Sequence, residues 1–281
     1  LVLLGSCEVF DPQKEVPAYV YIPSFDVELE DPLVQGTAEH NFSDVWITVD
    51  QEPLGAFKLP ALIPVGQEGE GGIHELSLRP GIKLNGINAT RLEYGPMRPD
   101  VLEVDLKTLE TDTLIPTARY YETEVFPWVE DFENPGFSLE AKDDSDTGLY
   151  RTTQDSLVFE GAGSAYFTVD SDRPFFECIS TSNYEFPKIN NPVFLEIHYK
   201  AEVPFVVGVY ANGPSVSQQA IVTVNKKDVW NKIYVNVTPH VVSLVNGNVK
   251  DFTFFIGTLL DVNQHGPGPH TVYLDNIKLV Y

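Results

Sequence analysis

The chain has 281 residues, 43% of them hydrophobic, with 18 basic against 41 acidic side chains and a formal net charge of -23. Phosphate backbones are bound through a basic footprint, so this balance excludes a nucleic-acid partner, and equally docking onto an anionic lipid surface. Beyond Cys7 no apolar run approaches the roughly 20 residues of a membrane-spanning helix, and the length suits two domains.

The chain opens Leu1-Val2-Leu3-Leu4-Gly5-Ser6-Cys7, and its one methionine is Met97. Leu1 to Leu4 read as the end of a secretory hydrophobic region. The run Leu3-Leu4-Gly5-Ser6-Cys7, apolar, small, small, then cysteine, resembles the lipobox of bacterial lipoproteins. That resemblance implies that residues 1–6 end a signal peptide cut before Cys7, and that the Cys7 thiol carries a covalent lipid anchoring the protein in a membrane. Residues 7–16 then form a lipidated, partly acidic tether. With Cys7 lipidated, Cys178 is the one thiol left, so no internal disulfide is expected. It lies in the apolar stretch Phe175-Phe176-Glu177-Cys178-Ile179 and reads as an inert buried group.

From there the chain lacks long helical periodicity. Short runs of Val, Ile, Tyr, Phe and Thr alternate with Gly, Pro, Asn and Asp, which predicts an all-β protein of two β-sandwich domains. In the first half, strands are expected at 18–22, 45–50, 73–78 and 101–106. Alternation puts Val45, Ile47 and Val49 on one face, and Asp50 to Gly55 read as a hairpin connection. Gln67 to Gly72 form an acidic, glycine-rich loop tip. The segments Leu59 to Pro64 and Leu78 to Gly86 resemble the immunoglobulin-like or transthyretin-like modules that follow the lipid in such lipoproteins. That implies a spacer domain over residues 17–121. Glu103-Val104-Asp105-Leu106-Lys107-Thr108 approaches the Glu-x-Asp-x-x-Glu pattern of one β-sandwich glycosidase family. Thr108 stands where the final acid belongs, however, and retaining chemistry needs a second carboxylate roughly 5 Å away.

A linker is expected at 122–127, with Tyr120, Tyr121, Phe126 and Trp128 as an interdomain hydrophobic seam. Beyond it, Val129-Glu130-Asp131-Phe132-Glu133 opens a second unit and Tyr273-Leu274-Asp275-Asn276-Ile277-Lys278-Leu279 closes it. Between them lie Gly161-Ala162-Gly163-Ser164-Ala165-Tyr166-Phe167 and Asp228-Val229-Trp230-Asn231-Lys232-Ile233-Tyr234-Val235-Asn236-Val237. These four segments, in this order, resemble the galactose-binding-like jelly roll shared by many carbohydrate-binding modules, over residues 128–281. The resemblance implies that the first and last strands lie close and hold a structural calcium, with Glu133 and Asp275 as carboxylate ligands and Asp131 as a third. Calcium takes six to eight hard oxygens of this kind. The other reading of Glu133 and Asp275 is as surface charges or backbone-capping groups. Trp230 matches the family's core tryptophan.

Other constellations are weaker. Asp143-Asp144-Ser145-Asp146-Thr147-Gly148 has the start of a calcium loop, but position twelve counted from Asp144 is Asp155 rather than Glu, so a solvated loop is expected. The six histidines make no zinc-type pair, and His265 and His270 in their Gly-Pro-rich loop read as exposed. There is no Gly-x-Ser-x-Gly elbow and no phosphate loop. Sugars are held by an aromatic ring on their apolar face with polar groups at the rim. The loop aromatics Tyr184 and Phe186, and Tyr210 with Asn212 at a strand end, are the candidates for that role.

The sequence therefore reads as a lipid-anchored protein of the bacterial outer membrane, surface-exposed, in the layout of Bacteroidetes lipoproteins. A non-catalytic role in binding a surface or extracellular glycan leads. A structural or assembly subunit of an outer-membrane protein complex is the alternative, and a glycan-active enzyme the third.

Overall fold

The computed structural model describes residues 16–66, 71–187, 192–213, 215–247 and 249–281. Cys7, nearly all of the expected tether and residues 67–70 of the acidic loop tip lie outside them. The architecture is all-β, with three short helices among the described elements. Two compact units emerge. One comprises residues through Asp26 with Phe42–Gly81 and Pro99–Ala118; the other comprises Val27–Asn41, Ile82–Arg98 and Arg119–Tyr281. The chain thus divides differently from the single boundary expected at 122–127, because segments 27–41 and 82–98 pack with the C-terminal sandwich.

In the first unit, Ala18–Ile22 lies between Ala61–Val65, antiparallel, and Thr111–Thr113, parallel. Ala18, Val20 and Ile22 are buried while Tyr19 and Tyr21 are half-exposed, the period-two pattern of a half-buried strand. Asp44–Val49 pairs with Glu52–Lys58 and with Gly71–Lys83, which in turn pairs with Asp100–Lys107. Val45 and Ile47 are buried as alternation requires, and Val49 is half-buried. The hairpin is tighter than Asp50 to Gly55: only Asp50 and Gln51 turn, at φ 49° and 70°, with Val49 opposite Glu52. Two left-handed residues match the twist of the strands they join. Asp50 tolerates this because its carboxylate accepts from the Glu75 amide (2.9 Å) and meets His74 Nδ1 (2.6 Å). Those contacts, the Glu75 amide first, hold its pKa below the ordinary value.

The sandwich of the second unit uses strands β1 (Trp128–Glu130), β2 (Leu139–Ala141), β3 (Tyr150–Thr152), β4 (Ser164–Val169), β5 (Phe175–Ser180), β6 (Phe194–Ala201), β7 (Phe205–Asn212), β8 (Ser217–Val224), β9 (Lys227–Asn236), β10 (Asp251–Leu259) and β11 (His270–Val280). A six-stranded sheet runs β3-β4-β11-β6-β9 with β1 also on β11, and a five-stranded sheet runs β2-β5-β10-β7-β8. Their inner faces share one core, in which Phe167 of β4 stacks on Phe176 of β5 with ring centroids 4.0 Å apart. Each fully buried side chain of this size contributes about 1.5–3 kcal/mol. Cys178 sits in this core, fully buried, and burial pushes its thiol up to about 12. Trp128, expected in a seam, belongs to the same core.

The outer face of the six-stranded sheet is also buried. Leu195, Ile197 and Tyr199 of β6 point to the core, so Glu196 and His198 point outward, yet they are only 1% and 2% exposed. Cross-strand register sets Glu196 between Tyr234 of β9 and Lys278 of β11. Lys232 Nζ lies 2.6 Å and Lys278 Nζ 3.4 Å from Glu196 Oε2, while Tyr94 and Tyr120 donate their hydroxyls to Glu196 Oε1. Lys278 also donates to the Gln35 carbonyl (2.9 Å), and Lys232 to that of Glu39 (2.7 Å). Burial alone would raise the Glu196 pKa; Lys232 and then Lys278 hold it down, at about 2. A buried charge must be paired and hydrogen-bonded. This cluster meets that need by drawing Gln35, Glu39, Tyr94 and Tyr120 onto the sheet.

Candidate functional site

The outer face of the five-stranded sheet carries an open polar network. Tyr210 of β7 lies opposite Thr253 of β10 on one side and Gln218 of β8 on the other, and Asn212 lies opposite Asp251. Tyr210 donates to Glu177 Oε1 (2.5 Å), while Lys142 Nζ donates to the Tyr210 hydroxyl (3.1 Å) and sits 2.9 Å from Glu177 Oε1. Gln218 Nε2 reaches Glu177 Oε2 (2.9 Å). Asn212 Nδ2 donates to Asp251 Oδ1 (2.7 Å) and Thr253 Oγ1 (2.9 Å), and Thr253 in turn donates to Asn183 Oδ1 (2.8 Å). Beside it lies Phe255, opposite Gly208 and 3% exposed, its tilted ring centroid 5.3 Å from that of Tyr210. Gly208 makes room for it: a Cβ there would sit 2.5 Å from the Phe255 ring.

The electrostatics favour a charged Lys142 and a neutral Tyr210. Hydrogen bonds with Tyr210 and Glu177 raise the Lys142 pKa, and burial, then the bond to Glu177, raises that of Tyr210. Chemically it offers one half-buried tyrosine ring bordered by amide, hydroxyl and carboxylate groups whose geometry is already set. A ring with convergent polar groups on a rigid sheet is suited to recognition.

Of the four residues expected to bind a ligand, two are on this face and two are not. Tyr210 and Asn212 belong to the network. Tyr184 and Phe186 are corrected: they are buried in the core, 6% and 7% exposed. The backbone of Tyr184 exchanges hydrogen bonds with Phe252 (2.8 and 2.9 Å), which turns its ring inward onto Trp128, and Phe186 stacks on Phe252 at 4.9 Å. The neighbouring Asn183 is the member of that loop that reaches the open face. Sequence reasoning missed Lys142, Glu177, Asn183 and Gln218. The alternation Phe176-Glu177-Cys178 already placed Glu177 opposite the core, a signal that could have found it.

The residues expected to bind calcium are held by other partners. Among the described residues, no three His, Cys, Asp or Glu side chains form a group that could hold a metal ion. Asp275 is fully buried; Ser164 donates to its Oδ2 (2.5 Å) and the Asn276 amide to its Oδ1 (2.8 Å). Burial outweighs these bonds and raises its pKa to about 7. Glu133 accepts from the Ala162 amide (2.9 Å), and Asp131 from the Glu133 amide (3.1 Å), so both act as backbone caps. The cation here is Arg151. Its Nε donates to the Phe132 carbonyl (2.5 Å) and its Nη2 to the Glu133 carbonyl (3.0 Å). Gly163 leaves space for the guanidinium, since a Cβ there would lie 2.3 Å from Arg151 Nε. Carbonyl oxygens that would suit calcium are thus taken by a side chain, and these residues do not fit the ion.

The remaining candidates resolve simply. Trp230 is half-buried, outside the core cluster, with its ring 5.4 Å from Phe159, so it is not the core tryptophan expected. His265 and His270 are half-buried rather than exposed. Glu103 and Asp105 are exposed on the outer side of Asp100–Lys107.

No family model matches the chain, and no curated protein matches it. Among solved structures, TmCBM61 in complex with beta-1,4-galactotriose is similar at 13% identity over 53% of this chain and 93% of that one, with a TM-score of 0.36. A CBM29-2 mutant complexed with mannohexaose is similar at 11% identity over 56% and 92%, with a TM-score of 0.34. The enzymatically active domain of tailspike protein 4 from bacteriophage CBA120 is similar at 8% identity over 53% and 20%, with a TM-score of 0.37.

Proposed function

We propose that this chain is a non-catalytic glycan-binding protein, lipid-anchored through Cys7 at the surface of a bacterial outer membrane, and that it recognises its glycan on the outer face of the five-stranded sheet. The observation that carries the reading is the half-buried Tyr210 ring, held by Glu177 and Lys142 and bordered by Gln218, Asn212 and Asn183. Sugar rings present an apolar face and a hydroxyl rim, and this row supplies a partner for each. Glu177 is bonded to Lys142, Tyr210 and Gln218, which suits binding rather than proton transfer. The anchor rests on the run Leu3 to Cys7.

A glycan array probed with residues 17–281 tests the binding. Saturable binding to one sugar class, lost in Tyr210→Ala, supports it. Silence across the array overturns it in favour of a protein partner in the membrane. For the anchor, Cys7→Ser should move the full-length protein from the membrane to the soluble fraction; unchanged membrane association removes the lipid.

A further inference from the structure

A second site lies on the edge of the other sheet. A cleft of about 330 Å³ opens along β9, within the size range of small-molecule sites. Segments of the same unit complete it: the turn around Asn85 and Gly86, and Asn41 at the end of segment 27–41. Its lining contains Lys83, Lys226, Lys227 and Lys232 and no Asp or Glu. In a chain of 41 acidic and 18 basic residues that is a marked local reversal of charge.

The lining is built rather than incidental. Asn85 (φ 51°) and Gly86 (φ 72°) make a left-handed turn, and Asn85 Oδ1 accepts from the Asn236 amide (2.8 Å). Its Nδ2 thereby remains available to a ligand. Asn41 donates to Asn231 Oδ1 (3.2 Å) and to the Lys232 carbonyl (3.1 Å), and its own amide donates to the Tyr234 hydroxyl (3.0 Å). Asn231 reaches the Tyr199 hydroxyl (3.3 Å). Lys232 is committed to Glu196. Lys226, in the turn between β8 and β9, and Lys227, the first residue of β9, are exposed and make no ion pair among the described residues; Asp228 follows them but does not line the cleft.

Five asparagines (41, 85, 88, 225 and 231) supply neutral donors and acceptors, the chemistry that matches hydroxyl groups, and the two unpaired lysines supply positive charge. The geometry points to an acidic saccharide as the ligand of this cleft: a sugar unit bearing a carboxylate or a sulfate ester, held by Lys226 and Lys227 at its charge and by asparagine amides at its hydroxyls. This site is separate from the Tyr210 face and does not depend on the reading of that face.

The test is calorimetric titration of the whole chain with a panel of uronate, sialylated and sulfated oligosaccharides, each beside its neutral counterpart (the methyl ester or the desulfated sugar). At least one acidic probe should bind, and its neutral counterpart should bind roughly tenfold more weakly, the loss of one charge-assisted hydrogen bond. Raising the salt concentration should weaken binding, because exposed charges are screened. The double variant Lys226→Ala, Lys227→Ala should lose the preference, whereas Lys107→Ala, which removes an exposed charge outside the lining of the cleft, should keep it. The uronate and sulfate arms decide which acid is read. Three outcomes overturn the proposal: no acidic probe bound above its neutral counterpart, a preference that survives the double variant, or inorganic sulfate binding as well as the sulfated sugar.

Discussion

The two outer faces of the sandwich carry the same chemical trio, a glutamate, lysine and tyrosine, in opposite states. On the six-stranded sheet, Glu196 with Lys232, Lys278, Tyr94 and Tyr120 is sealed, the ion-paired side chains being 1–3% exposed. On the five-stranded sheet, Glu177 is itself buried, its side chain 7% exposed, but its partners Lys142 and Tyr210 reach the surface, Lys142 keeping 30% of its side-chain surface. Residue types alone do not separate a sealed internal cluster from an open surface one. The cover does: segments 27–41 and 82–98 lie over the first trio, and the second has no such cover among the described residues. Covering removes water and converts a modest surface pair into an interaction that must be complete.

The sharpest way to break this comparison is to delete the acid from each trio. Glu196→Ala leaves two buried ammonium groups without a counter-charge, which should cost about 3–5 kcal/mol. Glu177→Ala removes the shared acceptor of Tyr210, Gln218 and a lysine that can reach water, and should cost less, about 1–3 kcal/mol. Urea unfolding of both variants measures the difference. Equal losses would mean that the cover over Glu196 does not exclude water.

The same contrast marks what was legible in the sequence. The all-β sandwich was readable from short runs of Val, Ile, Tyr, Phe and Thr between turn residues, and the segment Gly161 to Phe167, read through a resemblance, does contain the start of β4. Phe194-Leu195-Glu196-Ile197-His198 alternates, and periodicity alone assigns Glu196 and His198 to water. What covers them comes from residues 27–41 and 82–98, far away in sequence, and no local pattern reports that. Tyr184 failed for a related reason: a loop aromatic between polar residues looks exposed, but its backbone bridge to Phe252 turns the ring inward. Tyr210 and Asn212 were legible because they face away from the core on a strand whose core residues, Phe205, Val207 and Val209, are unmistakable.

A second contrast lies between the cation expected from the sequence and the guanidinium present. Arg151→Ala should leave the Phe132 and Glu133 carbonyls without their donors, at a cost of about 1–3 kcal/mol. Adding calcium to the unaltered chain should leave its melting temperature unchanged, because the guanidinium already occupies the carbonyls. Scanning calorimetry with calcium and with a chelator checks both statements. A calcium-induced rise in the unaltered chain would show that Asp131, Glu133 and Asp275 rearrange around the ion, and would restore them as ligands.

The smallest expected effect separates the Tyr210 ring from its hydroxyl. Tyr210→Phe keeps the ring beside Phe255 but removes the donor to Glu177 and the acceptor for Lys142. Lys142 and Glu177 remain 2.9 Å apart and can satisfy each other, so unfolding should shift by only about 0.5–1.5 kcal/mol. If the ring is the platform, Tyr210→Phe should bind the glycan found on the array within about threefold of the unaltered chain, a change of well under 1.4 kcal/mol, while Tyr210→Ala loses it. A Phe variant as inactive as the Ala variant would assign recognition to the hydroxyl and its Glu177–Lys142 pair, and the open trio would then be a polar reader rather than the frame of an aromatic one.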